Sequence, residues 1–73
     1  MPKAFIGAVE CKVIVDRDLG DTWAVTVVPP PPRAGEPARA PLVVKLQGED
    51  REKIALGALE ILLKRGLIDR LEP

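Results

Sequence analysis

Glu49-Asp50-Arg51-Glu52-Lys53-Ile54-Ala55-Leu56-Gly57-Ala58-Leu59-Glu60-Ile61-Leu62-Leu63-Lys64-Arg65 is the stretch whose apolar spacing, ends and length agree on one structure, an amphipathic helix. At about 100° per residue, Ile54, Ala55, Leu56, Ala58, Leu59, Ile61, Leu62 and Leu63 cover roughly 220° of the circumference. Lys53, Gly57, Glu60 and Lys64 keep a narrow polar strip. Glu49, Asp50 and Glu52 crowd the start, where the positive end of the helix dipole favours carboxylates, and Lys64 and Arg65 lie at the negative end. Gly66 fits the left-handed position past the last turn, with Leu67 packing back on Leu62 in a Schellman ending. A helix on a single layer needs an apolar stripe of about 100° or a little more. The flanks of this one are therefore expected to meet the remaining chain or a second subunit, with Leu56 or Leu63 in an intermolecular contact.

Upstream, Leu42 to Gln47 predicts a strand, with Leu42, Val44 and Leu46 on one face, Lys45 and Gln47 on the other, and Val43 breaking the polar side. Gly48 releases the chain into the helix. Residues 29–41, Pro-Pro-Pro-Pro-Arg-Ala-Gly-Glu-Pro-Ala-Arg-Ala-Pro, hold no large apolar side chain and favour extended polyproline II geometry. They predict a long loop, read either as a rigid connector or as a partner-binding loop through Arg33 and Arg39. Pro29 and Pro32 also stand in a PxxP arrangement of the kind aromatic grooves take. Thr22 to Val28 predicts a strand, Trp23, Val25 and Val27 alternating with Thr22, Ala24 and Thr26. Asp16 to Asp21 gathers turn residues and is expected to close a hairpin. Before it, Val9, Cys11, Val13 and Val15 lie on one face and Glu10, Lys12 and Asp16 on the other, giving a strand at Ala8 to Val15, with Gly7 marking a bulge or a start of regular pairing nearer Val9. After the helix, Leu67, Ile68 and Leu71 form an apolar tail, either a short helical turn or an extended edge segment.

Seventy-three residues make one small domain, 1–73, whose core is marginal at this size. The single Cys11 allows no disulfide within the chain, and no His/Cys set offers a structural metal, so oligomerisation is the remaining common support. Eleven basic and eleven acidic residues cancel and are mixed along the chain, which gives no nucleic-acid footprint and little repulsion between copies. No secretory signal and no run of roughly 18 apolar residues is present, which makes the cytoplasm the expected compartment and excludes a helical membrane span.

The absence of histidine and tyrosine removes the commonest general base and a common phenolic donor, so no catalytic residue and no cofactor is expected. Asp16, Asp18 and Asp21 do not follow the spacing of a calcium loop and read as solvated turn residues. Cys11 shares parity with Val9 and Val13 and reads as a small core residue. Trp23 has no basic groove beside it, which favours a core ring over a platform for single-stranded nucleic acid.

The order of strand, Gly-containing turn, strand with an aromatic, proline segment, strand, Gly and acidic-capped helix resembles the HicB-type antitoxin N-terminal domain. Asp18-Leu19-Gly20-Asp21-Thr22-Trp23-Ala24-Val25 looks like that family's Asp-Gly turn with an aromatic and alternating valines. Pro29 to Pro32 is similar in position to its proline segment, and Gly48 to Leu59 to its Gly-led acidic helix start. The likeness spans residues 13–65. It implies a homo-oligomeric module that covers a small protein partner, without the DNA-binding function, since no second domain is expected after Pro73.

The expected architecture is α+β, a three-stranded antiparallel sheet with one C-terminal amphipathic helix packed on one face (β-β-β-α). The expected function is non-enzymatic protein binding by a small regulatory or antitoxin-like protein, with helix flank and sheet edge as interface. Its candidate interface residues are Leu56, Leu59, Leu63, Leu67, Ile68 and Leu71. A structural homo-oligomer or scaffold is the alternative, and a single-stranded nucleic-acid binder is the least favoured reading.

Overall fold

Two glycines lay out the first half of the chain. The computed structural model describes residues 1–73. In it Gly7 and Gly20 have φ of +61° and +60°, while no other type of residue has a positive φ. Each opens a two-residue hairpin turn, Gly7-Ala8 between the paired Ile6 and Val9, and Gly20-Asp21 between the paired Leu19 and Thr22. A positive φ at the first central position alone is the pattern of a type II′ turn, whose twist suits the flanking strands and which favours glycine there. The strands are β1 (Lys3–Ile6), β2 (Val9–Leu19), β3 (Thr22–Val28) and β4 (Leu42–Gln47), followed by α1 (Arg51–Lys64) and β5 (Arg70–Glu72). One antiparallel sheet runs in the order β4-β3-β2-β1-β5.

The α+β class and the single helix hold, but the sheet has five strands where the sequence pattern predicts three. Gly7 is not a bulge, and regular pairing of β2 does start beyond it, at Val9. It turns the chain, so that Lys3–Ile6 forms a separate strand pairing Ala4 with Cys11. The tail after the helix is extended, pairing Leu71 with Ala4. The turn expected over Asp16 to Asp21 shrinks to Gly20-Asp21, and β2 continues through Leu19 with a register shift between Arg17 and Leu19. β3 and β4 keep their expected bounds.

The helix covers one face of the sheet. Val15 of β2 and Trp23 and Val25 of β3 meet Ile54, Ala55 and Ala58 in one apolar cluster. Ala4, Cys11 and Val27 meet Leu59, Leu62 and Ile68 in another. Leu59 is wholly buried, and burial of a leucine of this kind contributes about 1.5–3 kcal/mol. Asp50 caps the helix start, its carboxylate accepting from the amides of Glu52 at 3.0 Å and Lys53 at 3.3 Å. At the other end the Gly66 amide donates to the Leu63 carbonyl at 3.0 Å and the Leu67 amide to the Leu62 carbonyl at 2.9 Å. With φ of +73° at Gly66, this is a Schellman ending. The residue it sends back to the core is Ile68, 2% exposed, whereas Leu67 stays 44% exposed.

Trp23 ties the sheet to the helix. Its indole Nε1 donates to the Gly48 carbonyl at 2.8 Å, across the joint between β4 and α1. Arg17 places its guanidinium 4.8 Å from the ring centre, a cation–π contact.

Candidate functional site

The apolar excess of the helix divides between the interior and two flanks. Of the six leucine and isoleucine positions expected at an interface, Leu59 and Ile68 lie in the core and cannot reach a partner. Their places are taken within the chain because β5 brings Ile68 under the helix. Leu71 is half-buried against the same cluster. Leu56 is half-buried in a shallow recess of about 220 Å³ shared with Pro2, Glu52, Lys53 and Pro73. Leu63, 39% exposed, and Leu67 remain at the surface at the helix end. On the opposite flank Gly57 faces Leu46 of β4, where an added Cβ would lie 3.7 Å from the Leu46 Cδ1.

Arg33 and Arg39 come together on one cleft of about 290 Å³ between the proline loop and the β1–β2 turn, which Gly7, Ala8, Glu36 and Asp69 also line. Neither arginine takes part in an ion pair within the chain. The loop folds back on itself where the Glu36 amide donates to the Arg33 carbonyl at 3.0 Å. Gly35 sits at φ of +86° in that turn, the geometry a type II turn requires at its third residue. Beneath this cleft, burial pushes the Cys11 thiol up from its ordinary pKa. An amide hydrogen bond from Ile6 and the charge of Arg39 oppose that rise, while Asp69 and Glu10 add to it. A buried, protonated thiol of this kind is a poor nucleophile. Asp16, Asp18 and Asp21 do not converge on one point, since Asp18 is bound to Lys45 at 3.2 Å across β3, and no three His, Cys, Asp or Glu side chains come together as metal ligands.

The feature that sequence reading leaves unlocated is which sheet edge is open. β4 is the outermost strand on its side. The Gly48 amide donates to the Asp21 carbonyl at 3.0 Å, and these residues continue the register that pairs Thr22 with Gln47 and Val27 with Leu42. Hydrogen-bonded and non-bonded pairs alternate in an antiparallel ladder. Leu42, Val44 and Leu46 therefore point their backbone groups at β3. The N–H and C=O groups of Val43, Lys45 and Gln47 point outward, with no partner in the chain. Val43 is 57% exposed. The only signal in the sequence was Val43 itself, an apolar residue on the polar side of its strand.

No helix is long and apolar enough to cross a membrane. No family model, no curated protein and no solved structure matches the chain.

Proposed function

We propose that this chain is a non-enzymatic protein-binding module whose main interface is the outer margin of β4. The observation that carries this reading is the row of unpaired backbone groups on Val43, Lys45 and Gln47, set in a strand rich in β-branched and aliphatic residues. Such a row is a ready template for another strand. The exposed Leu63 and Leu67, with half-buried Leu56, offer a second surface on the far flank of the helix. Residues 13–65 resemble the HicB-type antitoxin domain, and that likeness supports the finer form of the proposal, a small regulatory or antitoxin-like protein covering a protein partner.

A scaffold role is the second reading. It draws on the proline loop, exposed throughout residues 31–41 and stiff by composition.

The test is light-scattering mass on the untagged protein across a concentration series, with a parallel search for proteins it retains from an extract of its source cells. A concentration-dependent dimer, or one retained protein at fixed stoichiometry, supports a binding module. A monomer at every concentration that retains nothing overturns it. Leu63→Glu then asks which surface is used, because its mass falls only if the helix flank carries the assembly.

A further inference from the structure

Resting on the binding-module reading, we infer that the occupant of the β4 margin is the β4 strand of a second copy, joined antiparallel about a two-fold axis at Val44. The argument begins with parity. Outward-pointing backbone groups belong to the odd-numbered residues Val43, Lys45 and Gln47, so hydrogen-bonded pairs across the new seam can form only among these. An antiparallel copy of the same strand satisfies this with every core-facing residue still opposite a core-facing residue.

Within residues 41–47 the registers centred on Val44 and on Lys45 form the most ladder bonds, and charge decides between them. Setting Lys45 opposite Lys45 of the second copy would place like charges directly across the seam, which is destabilising. Shifting so that Val44 meets Val44 puts Val43 opposite Lys45 on each side and Leu42 opposite Leu46. The outer pair then joins Gln47 to Pro41, where proline lacks only an N–H and still offers its carbonyl. This register forms about six ladder hydrogen bonds and meets no like-charge pair.

Lysine is the residue that most often guards an open strand. Here that guard is occupied, because the Lys45 ammonium reaches back over β3 to the Asp18 carboxylate at 3.2 Å. It thus lies along the sheet surface and leaves the seam clear. The chain's zero net charge adds no long-range repulsion between copies. In the dimer one sheet runs from the β5 of one copy through both β4 strands to the β5 of the other, with both helices on the same side. A seam of one short strand buries little area, so affinity on the order of micromolar is expected.

Three measurements test this. Val43→Pro removes an outward N–H while leaving the ladder to β3 intact, and proline is tolerated on an edge in that position. It is expected to hold the native circular dichroism spectrum and to raise the dimer dissociation constant at least tenfold. Hydrogen exchange on the wild-type protein reads the same seam without a mutation. The amides of Val43, Lys45 and Gln47 should gain protection as concentration rises through the dimer transition. Val44→Cys in a Cys11→Ser background, oxidised with diamide, should cross-link to a dimer, since a non-bonded pair holds its Cα atoms about 4.5 Å apart, within disulfide range.

A wild-type dimer whose seam amides gain no protection, or which survives Val43→Pro and is lost with Leu63→Glu, overturns the β4 seam while leaving the binding-module reading standing. A strict monomer that retains another protein does the same. Only a monomer that retains nothing removes both.

Discussion

The two margins of the sheet are treated differently by the chain. At one side β5 has only three residues, Arg70–Glu72, and is tied to β1 by side chains as well as by its ladder. Its neighbour Asp69 donates its amide to the Phe5 carbonyl at 2.8 Å, and its carboxylate accepts from the Gly7 amide. Arg70 lies 4.3 Å over the Phe5 ring and pairs with Glu72 at 3.2 Å. Along the length of β2 that extends beyond β1, Arg51 reaches a single backbone group, the Val15 carbonyl, in a long contact of 3.4 Å. At the other side β4 offers a regular six-residue strand, and its one lysine is tied elsewhere. An edge strand is blunted by brevity, and β4 is twice the length of β5.

The comparison can be broken most severely on the short side. Ile68 is the core anchor that holds β5 in place, and Ile68→Ala is expected to cost about 2–5 kcal/mol in urea unfolding. The Phe5 and Asp69 amides should lose exchange protection with it, while the pattern along β4 is unchanged. If stability is kept, β5 is not part of the cooperative unit and the two margins are alike.

Gly66→Ala probes the same side more gently. Nothing would crowd the added Cβ, but φ of +73° is strained for alanine, at a cost of about 1 kcal/mol. The loss should appear in thermal unfolding with dimer affinity untouched. A change in affinity would mean that the helix end, with Leu63 and Leu67, belongs to the interface.

The smallest effect is a pH dependence. The Cys11 thiol, on β2 opposite Ala4 of β1, has its pKa raised in the folded chain. Above the ordinary thiol pKa of about 8.5 the unfolded chain releases this proton while the folded chain keeps it. Folding stability should therefore be whole below that pH and fall as pH rises through the folded value. Cys11→Val should flatten the alkaline limb of a stability profile, and a limb that survives the substitution assigns it to other groups.

Much of this architecture was legible because local signals agreed. β3 is bounded by the Gly20-Asp21 turn and by four prolines, and β4 by Pro41 and Gly48, so both could be placed to the residue. The helix carried its own cap and stop, Asp50 and Gly66. The β1–β2 turn was written more faintly. Core-facing residues are even-numbered before Gly7, as Ala4 and Ile6, and odd-numbered after it, as Cys11 and Val15. That change of phase marks a two-residue turn, but Phe5, in phase with Val9, hides it. For the tail, the extended edge segment was one of two open readings, because the three residues of β5 are too few to carry a period of their own. The open margin was out of reach for a different reason, since which strand lies outermost is a property of strand order and no residue announces it. How the apolar arc of the helix divides between Leu59 in the core and Leu63 at the surface depended on where the tail with Ile68 returned.

The loop between β3 and β4 also bears on the time course of folding. β2 and β3 meet through a two-residue turn, whereas β4 reaches β3 only after residues 29–41 have been closed into a loop. For a flexible chain that longer closure costs about 1–2 kcal/mol more in entropy, and non-local pairings formed at such cost come late. The β2–β3 hairpin is therefore expected to form before β4 arrives, which leaves β3 as the exposed strand until then. At that stage the β4 of a neighbouring molecule can compete with the chain's own, so the length of the loop that delays β4 also sets how long strand exchange between copies can occur.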